Sequence, residues 1–160
     1  MRVGIGYDIH RLVKGRPPWL GGVKIPFKMG LAGHSDADVL LHAIIDALLG
    51  AAALPDIGHY FPTSEPAIKN IASSRMMAKA MDEVKRAGYR VVNVDTVLIA
   101  EEPAIAPQRP VICRTLARLL SIPASAVQVK GKTHEGLDAI GKKQAIAAHA
   151  VVLLEAHERR

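Results

Sequence analysis

The 160-residue chain is 49% hydrophobic and 22% charged, a composition that fits a globular domain over residues 1–160 and excludes a disordered chain. Its one cysteine excludes an intramolecular disulfide framework, and no apolar stretch is long enough to span a bilayer. The net charge of +6 permits anionic ligands, but scattered basic residues and an aromatic content of 4% argue against nucleic acid. With no secretory signal in the sequence, we expect a cytoplasmic protein without a membrane partner.

The first predicted element is a strand over residues 2–7. The motif GYDIH (residues 6–10) begins within this strand and continues beyond it. Residues i and i+2 of a strand point to the same side, so Asp8 and His10 are expected to stand together. A carboxylate beside an imidazole has two interpretations. Either Asp8 orients an ordinary histidine, or the pair supplies two ligands of an open metal site that needs a third.

A hairpin and a buried helix are predicted next. A Gly-Gly pair separates two short apolar pieces within residues 18–27, which is typical of a hairpin. Ser35, with Asp38 three residues later, predicts a capping box in front of an apolar run, and Gly50 predicts the end of that helix. Because the helix is apolar nearly all round, it is expected to be buried.

Three polar residues form a narrow stripe along this helix, since Asp38, His42 and Asp46 are spaced four residues apart. Burying such groups without partners costs free energy, so the stripe is expected to face solvent, a partner or a functional site. His42 is the candidate third metal ligand. Asp46 has three open roles: it accepts the second imidazole N–H of His42, contacts a substrate hydroxyl, or faces water.

The remaining pattern completes an α+β fold. Residues 55–70 predict a loop, and Ser73 or Ser74 is expected to cap a helix that Gly88 ends. Further along, the sequence predicts a strand over 89–100, a helix over 108–120 and strands over 126–133 and 144–156. Elements in this order predict a mixed β-sheet with helices packed on one face.

Four motifs in succession, GYDIH, HSDADVLLHA, DIGHYFP and KGKTHEGL, resemble those of the 2-C-methyl-D-erythritol 2,4-cyclodiphosphate synthase family, and the likeness covers essentially the whole chain. Enzymes of this family belong to the non-mevalonate isoprenoid pathway. They cyclise 4-diphosphocytidyl-2-C-methyl-D-erythritol 2-phosphate and release CMP. The resemblance therefore implies a phosphorus–oxygen lyase that assembles as a homotrimer, with sites between adjacent subunits.

The resemblance also implies two metal ions. Zinc is expected on Asp8, His10 and His42, in agreement with the residue spacing, and three protein ligands leave one tetrahedral position open. Glu135 is the implied protein ligand of Mg²⁺ or Mn²⁺, which prefer oxygen ligands. This pair of metals would serve a substrate that carries several phosphate groups.

Matching positions imply the contacts with substrate. His34 and Thr133 are the implied catalytic residues, which donate to oxygens of the transition state. The other implied substrate contacts are Ser35, Asp46, Asp56, Ile57, Gly58, Phe61, Pro62, Thr63, Ser64, Glu65, Lys132, His134 and Lys142. The implied cytidine-binding loop consists of Ala100, Glu101, Glu102, Pro103, Ala104, Ile105 and Ala106.

The chain departs from the family pattern at several positions near these contacts. Lys132 replaces a threonine, and Asp138 with Ala139 replaces a glycine–aromatic pair. Lys142 replaces an arginine and so loses bidentate geometry toward phosphate. Ala104 replaces a lysine of the cytidine loop, and Lys132 or Lys142 is available to supply that charge.

Two other functions stay open on the sequence. The same three ligands would serve a zinc-dependent phosphoesterase, which uses water as nucleophile and would release inorganic phosphate or linear methylerythritol phosphates. A basic trimeric module that binds nucleotide or nucleic acid would need no zinc. Metal content therefore separates the binding module from both enzymes.

Overall fold

Seven strands and five helices make up the computed structural model over its described residues, which are 1–156 apart from the side chain of Ala67. The strands are β1 (Arg2–Lys14), β2 (Trp19–Leu20), β3 (Val23–Lys24), β4 (Met29–Leu31), β5 (Tyr89–Ile99), β6 (Val127–Lys132) and β7 (Ala145–Ala156). The helices are α1 (Val39–Ala51), α2 (Ile57–Tyr60), α3 (Ser73–Arg86), α4 (Arg109–Leu120) and α5 (Asp138–Gly141), with 3-10 turns at Pro66–Ile68 and Ala124–Ala126. His157, for which the sequence predicts a solvated position, lies outside the described residues.

The main sheet has five strands in the order β4-β1-β7-β5-β6, and β2 with β3 forms the predicted hairpin. Strands β5 and β6 pair in parallel, whereas the other neighbours pair antiparallel, so the sheet is mixed. Helix α1 packs on β1 and β7, α3 on β5, and α4 on β6. The predicted α+β architecture, with helices on one face of a mixed sheet, is confirmed.

Two glycines in β1 allow helix α1 to approach the sheet closely. Gly4 and Gly6 face α1, and a Cβ atom at either position would overlap a backbone carbonyl oxygen of the helix. Strand and helix therefore meet backbone against backbone, which glycine permits because it has no side chain. This close approach brings the next residues on the same face of β1, Asp8 and His10, up to the helix.

The opposite face of the sheet is apolar and exposed in the single chain. Its large side chains, with their exposed fractions, are Val3 (68%), Ile5 (72%), Tyr7 (50%), Ile9 (43%) and Val151 (43%). Contiguous apolar surface of this kind marks an interaction site in a protein that is stable in water. This face is therefore a candidate interaction surface.

Helix α1 begins at a buried aspartate. The N-cap is Asp38, whose carboxylate accepts from the backbone N–H of Leu41 at 3.1 Å, so the predicted capping by Ser35 is wrong. The same carboxylate accepts from the N–H groups of Gly21 and Gly22 at 2.8 and 2.6 Å and so ties the helix to the β2–β3 hairpin. Because these donors satisfy Asp38 inside the fold, the polar stripe reaches the cavity through its other two residues.

Other element ends differ from prediction by short distances. Helix α1 continues through Gly50, and the N-cap of α3 is Ala72, so Ser73 is the first helical residue of α3 and not its cap. Gly88, at φ +86°, follows the end of α3 as predicted. The predicted loop over 55–70 contains α2 and the first 3-10 turn, elements too short to produce a period in the sequence.

In the part of the chain that the structure describes, no helix combines the length and the apolar character needed to cross a bilayer.

Candidate metal centre and substrate cavity

Three metal-ligating side chains converge where β1 meets α1. The strand period places Asp8 and His10 on the face of β1 toward the helix, and His42 lies in the first turn of α1. Asp8 Oδ2 is 2.9 Å from His10 Nε2 and 3.0 Å from His42 Nδ1, and the two nitrogens are 3.2 Å apart. Metal–ligand bonds of about 2.0 Å give a tetrahedron with edges of about 3.3 Å, so this donor set fits zinc. The sequence prediction that these three side chains form one cluster is confirmed.

In each imidazole, the nitrogen that points away from the cluster also has a hydrogen-bond partner. His10 Nδ1 donates to the carbonyl oxygen of Ala32 at 2.6 Å, since a carbonyl can only accept, and this leaves Nε2 to face the centre. His42 Nε2 lies 2.9 Å from Ser73 Oγ and 3.2 Å from Ser35 Oγ. Such outer partners fix the ring orientation of histidines that bind metals.

Hydrogen bonds and charges within this cluster shift the pKa values of its side chains. Burial acts to raise the pKa of Asp8, but hydrogen bonds with His10 and His42 and their positive charges outweigh it, so the pKa of Asp8 lies well below its usual value. For His10, burial acts to lower the pKa, yet the hydrogen bond and charge of Asp8 raise it above 6.5. The carboxylate therefore stays ionised and provides negative charge where a cation would bind.

Asp46 lines the same cavity but makes no hydrogen bond with His42. Its Oδ1 atom accepts from the backbone N–H of Ile57 at 2.9 Å, at the start of α2. The hypothesis that Asp46 accepts the second imidazole N–H of His42 is therefore wrong, because Ser73 occupies that position. Burial raises the pKa of Asp46 despite the opposing effect of the Ile57 N–H, and the nearby charge of Asp56 adds to the rise.

A cavity of about 240 Å³ opens beside the three ligands. Besides the ligands, the sequence-predicted site residues in its lining are His34, Ser35, Asp46, Ile57, Gly58, Phe61 and Thr63. Asp56, Pro62, Ser64 and Glu65 do not line it, and the Asp56 carboxylate caps α2 by accepting from the His59 N–H at 3.0 Å. The structure adds Gly33, Ile68 and Met76, whose apolar surface carries no chemical signal in the sequence.

The other predicted site residues form a second group at the C-terminal ends of β5 and β6. Thr133 Oγ1 donates to Glu135 Oε1 at 2.8 Å. Glu101 Oε1 accepts from the backbone N–H groups of His134 and Gly136 at 2.8 and 3.3 Å. One carboxylate therefore joins the loop predicted to bind cytidine to the segment predicted to bind diphosphate.

A lysine that the sequence did not single out contacts the predicted cytidine loop. Lys143 Nζ lies 2.7 Å from Glu102 Oε1. Lys132 and Lys142, the two lysines that the sequence offers as sources of charge for the loop, are exposed, as Lys143 is. Ala104 is exposed as well. Lys143 therefore places a positive charge beside this loop and, together with the charge of Lys28, lowers the pKa of Glu102.

The two groups are separated by the width of the sheet. Ile9 of β1 is paired with Ala147 of β7, and Ala147 is paired with Ile99 of β5. Ile99 is paired in turn with Lys132 of β6. Three strand spacings, roughly 14 Å, therefore lie between the ligands on β1 and the segment that follows β6. A single chain does not bring the two groups to one cavity.

Ser73 and Asp36 complete the surroundings of His42, and the sequence indicates neither of them as a site residue. Ser73 Oγ donates to Asp36 Oδ1, and Asp36 Oδ2 accepts from the Ser73 backbone N–H at 3.0 Å. Ser73 is fully buried, although it begins a helix. It is 31 residues from His42, so no spacing rule connects the two.

Fold and site together define an α+β protein with an Asp-His-His cluster that could hold a metal ion, beside a cavity. The model of the YgbB family matches residues 1–155, and the chain belongs to this family. A curated relative from Syntrophomonas wolfei, named 2-C-methyl-D-erythritol 2,4-cyclodiphosphate synthase, is 54% identical over 97% of this chain and 99% of its own length. A relative of the same name from Syntrophobacter fumaroxidans is 50% identical over 99% of this chain and 100% of its own length.

Solved structures agree with this assignment. A 2C-methyl-D-erythritol-2,4-cyclodiphosphate synthase in a form bound to CDP has a TM-score of 0.89 and 38% identity, and the match covers 96% of this chain and 100% of that one. The bifunctional IspDF from Campylobacter jejuni has a TM-score of 0.94 and 35% identity, over 98% of this chain and 42% of that one. The fold of this chain is therefore that of the synthase structures.

Proposed function

We propose that this protein is a lyase of isoprenoid biosynthesis that converts 4-diphosphocytidyl-2-C-methyl-D-erythritol 2-phosphate to 2-C-methyl-D-erythritol 2,4-cyclodiphosphate and CMP. The observation that carries the proposal is the convergence of Asp8, His10 and His42 at one edge of a cavity, in a chain about half identical to synthases of that name. We further propose that the whole chain, residues 1–160, acts as one domain.

The reaction makes one P–O bond and breaks another. An oxygen of the 2-phosphate attacks the β-phosphorus of the same molecule, and the bond from that phosphorus to the CMP oxygen breaks. Because the attacking phosphate is already an anion near neutral pH, the protein needs no strong general base. Its task is to hold two anionic phosphates together and to balance the charge that develops between them.

Two metal sites are proposed, and the residues present fit both. Asp8, His10 and His42 would hold zinc, and Glu135 would give one carboxylate ligand to Mg²⁺ or Mn²⁺, with substrate phosphates supplying further oxygen ligands. When bound, these ions supply fixed positive charge and Lewis acidity toward the phosphate oxygens. Thr133 holds the Glu135 carboxylate through its hydroxyl and so limits the directions in which that carboxylate can point.

The remaining contacts are assigned to residues of both groups. His34, in the cavity lining, carries a donor for a phosphate oxygen, and Thr133 can turn its hydroxyl from Glu135 to a phosphate oxygen when substrate binds. The Asp56 carboxylate, exposed beside α2 and outside the lining, would accept from hydroxyls of the methylerythritol. We assign cytidine to the loop over residues 100–106, whose position relative to the diphosphate segment is held by Glu101. Lys143 in place of the missing lysine at position 104 keeps a positive charge beside this loop.

We propose a homotrimer in which adjacent chains share each site. Two observations support it: the exposed apolar face of the sheet needs a cover, and the two groups of site residues lie roughly 14 Å apart within one chain. A neighbouring chain that packs on this face can bring its own Thr133–Glu135 segment to the metal centre. The apolar face and the divided site are then explained by the same contact.

Product analysis tests the proposed function. The purified protein, supplied with the cytidine-diphospho substrate, zinc and Mg²⁺, is expected to give equal amounts of CMP and the cyclic diphosphate by ³¹P NMR. His42→Ala is expected to lose about one zinc per subunit and the activity, because a three-ligand site does not survive loss of one ligand. Cys113→Ala, on α4 and outside the cavity lining, is the matched control and should keep both.

Other products would contradict the proposal. Inorganic phosphate or linear methylerythritol phosphates would indicate the phosphoesterase that uses the same ligands. Nucleotide binding without turnover and without zinc would indicate the binding module.

A further inference from the structure

The chemistry of the groups around His42 determines where its proton lies. An ionised carboxylate can only accept, so the hydroxyl hydrogen of Ser73 points to Asp36 Oδ1. Ser73 Oγ then offers only lone pairs to His42 Nε2, at 2.9 Å, and His42 must donate from Nε2. A neutral imidazole protonated at Nε2 has a bare Nδ1, which is the atom that faces Asp8 and His10.

We propose that Ser73 and Asp36 are positioning residues that hold His42 in the tautomer able to bind a metal ion through Nδ1. Without them, Asp8 would favour the opposite tautomer, because its Oδ2 lies 3.0 Å from Nδ1 and would accept a proton there. That proton would occupy the position of the metal–nitrogen bond. The inference rests on the metal centre of the proposed function and adds the groups that prepare one of its ligands.

Ser35 does not perform this task, although its Oγ lies 3.2 Å from His42 Nε2. That oxygen accepts from the Ala37 N–H at 3.0 Å, and its own hydrogen can turn toward the imidazole or away from it. Ser73 differs because both of its donors are committed to Asp36, through the hydroxyl and through the backbone N–H at 3.0 Å. Its full burial also excludes water as a competing partner.

Asp36→Asn keeps the shape of the side chain and reverses the direction of the hydrogen bonds. The amide oxygen must take the place of Oδ2 to accept from the Ser73 N–H, so the amide nitrogen faces Ser73 Oγ. The Ser73 hydroxyl then accepts from the amide and donates to His42 Nε2, which moves the histidine proton to Nδ1. The longer bond to Asp36 Oδ1 from the Asp38 N–H, 3.3 Å, is lost in this orientation.

Zinc affinity, measured on the full chain by competition with a chelator, tests the inference without reference to activity. We expect Asp36→Asn and Ser73→Ala to bind zinc about 10–100-fold more weakly than the wild type, the usual effect of removing an outer partner of a metal-bound histidine. Ser74→Ala removes the neighbouring hydroxyl in the first turn of α3 and is the matched control, with wild-type affinity expected. Circular dichroism establishes that each variant is folded, and if Ser73→Ala is not, Asp36→Asn decides the test alone.

NMR of ¹⁵N-histidine-labelled protein, prepared free of zinc, follows the proton itself. The wild type is expected to carry a proton on His42 Nε2, whatever the state of Nδ1, and Asp36→Asn to lose the proton from Nε2 and keep one on Nδ1, a change that a purely structural role would not produce. Wild-type zinc affinity in folded Asp36→Asn, or an unchanged tautomer, would overturn the inference. A wild-type protein that binds no zinc would instead overturn the metal centre itself.

Discussion

Glu135 is held by a neighbouring hydroxyl and lies apart from the three clustered ligands. Its Oε1 atom accepts from Thr133 at 2.8 Å, and the side chain is exposed in the single chain. If it binds the second divalent ion together with substrate phosphates, its charge matters only when substrate is present. Glu135→Gln is therefore expected to keep zinc content and lower turnover on the order of 10²-fold or more.

The control for Glu135→Gln is Val129→Ala in the buried interior of β6, which should affect thermal stability much more than turnover. Turnover and zinc content are measured for both variants at limiting Mg²⁺. Near-normal turnover of Glu135→Gln would remove Glu135 from the second metal site and transfer the role to Asp138.

From the pKa shifts of Asp8 and His10, we expect the stability of metal-free protein and the stabilisation by zinc to change with pH in opposite directions. The pKa of His10 is raised, so its contribution to the free energy of unfolding is complete below 6.5 and is lost as pH rises through the native value. The pKa of Asp8 is lowered, so its contribution is present above 3.8 and is lost as pH falls. Metal-free protein should therefore be less stable at about pH 8 than at about pH 6, whereas stabilisation by zinc should grow over the same interval because zinc competes with the proton.

Urea unfolding at both pH values, with and without zinc, measures the direction in which stability changes with pH in each form. His10→Gln removes the titrating group, so the difference between the two pH values should shrink in the metal-free variant. Equal pH responses of metal-free and zinc-loaded wild type would show that the Asp8–His10 pair does not titrate as described.

At the scale of elements, the contact between β1 and α1 brings the three candidate metal ligands together. A Cβ at Gly6 would overlap the carbonyl oxygen of Ala43, one residue beyond His42. Gly6→Ala is expected to push α1 away from β1, lowering stability by at least about 1–3 kcal/mol and weakening zinc binding. Gly50→Ala is the control in the same helix, because no atom lies within 4 Å of its added Cβ, and it should be neutral or stabilising. Unchanged zinc affinity in folded Gly6→Ala would contradict this view.

Local periodicity explains which parts of the site could be predicted. Asp8 and His10 share a strand face, and His42 interrupts an apolar helix, so both signals lie within single elements. The partners of His42 could not be predicted, because Ser73 reaches it through the packing of α3 on α1. The cap of α1 was misassigned for the same reason, since Asp38 is chosen by distant backbone donors in the hairpin. Contacts between elements have no period in the sequence.

At the scale of the whole molecule, the proposed trimer accounts for both the exposed apolar face and the divided site. Ile5 lies on that face in the first half of β1 and is 72% exposed in the single chain. Replacing it with lysine leaves the helix-covered face unchanged, so the chain itself should fold. In an assembly, however, the ammonium group would be buried without a partner at the contact between chains, which is strongly unfavourable.

Ile5→Lys is therefore expected to sediment as a monomer at micromolar concentration, where the wild type sediments as a trimer. Its zinc affinity should remain close to that of the wild type, because all three ligands come from one chain. Turnover should fall to background, because the Thr133–Glu135 segment lies about three strand spacings from the metal centre. Ala78→Lys adds the same charge at an exposed position of α3 and should leave assembly, zinc and turnover unchanged. A monomeric Ile5→Lys with full activity would show that one chain completes the site alone.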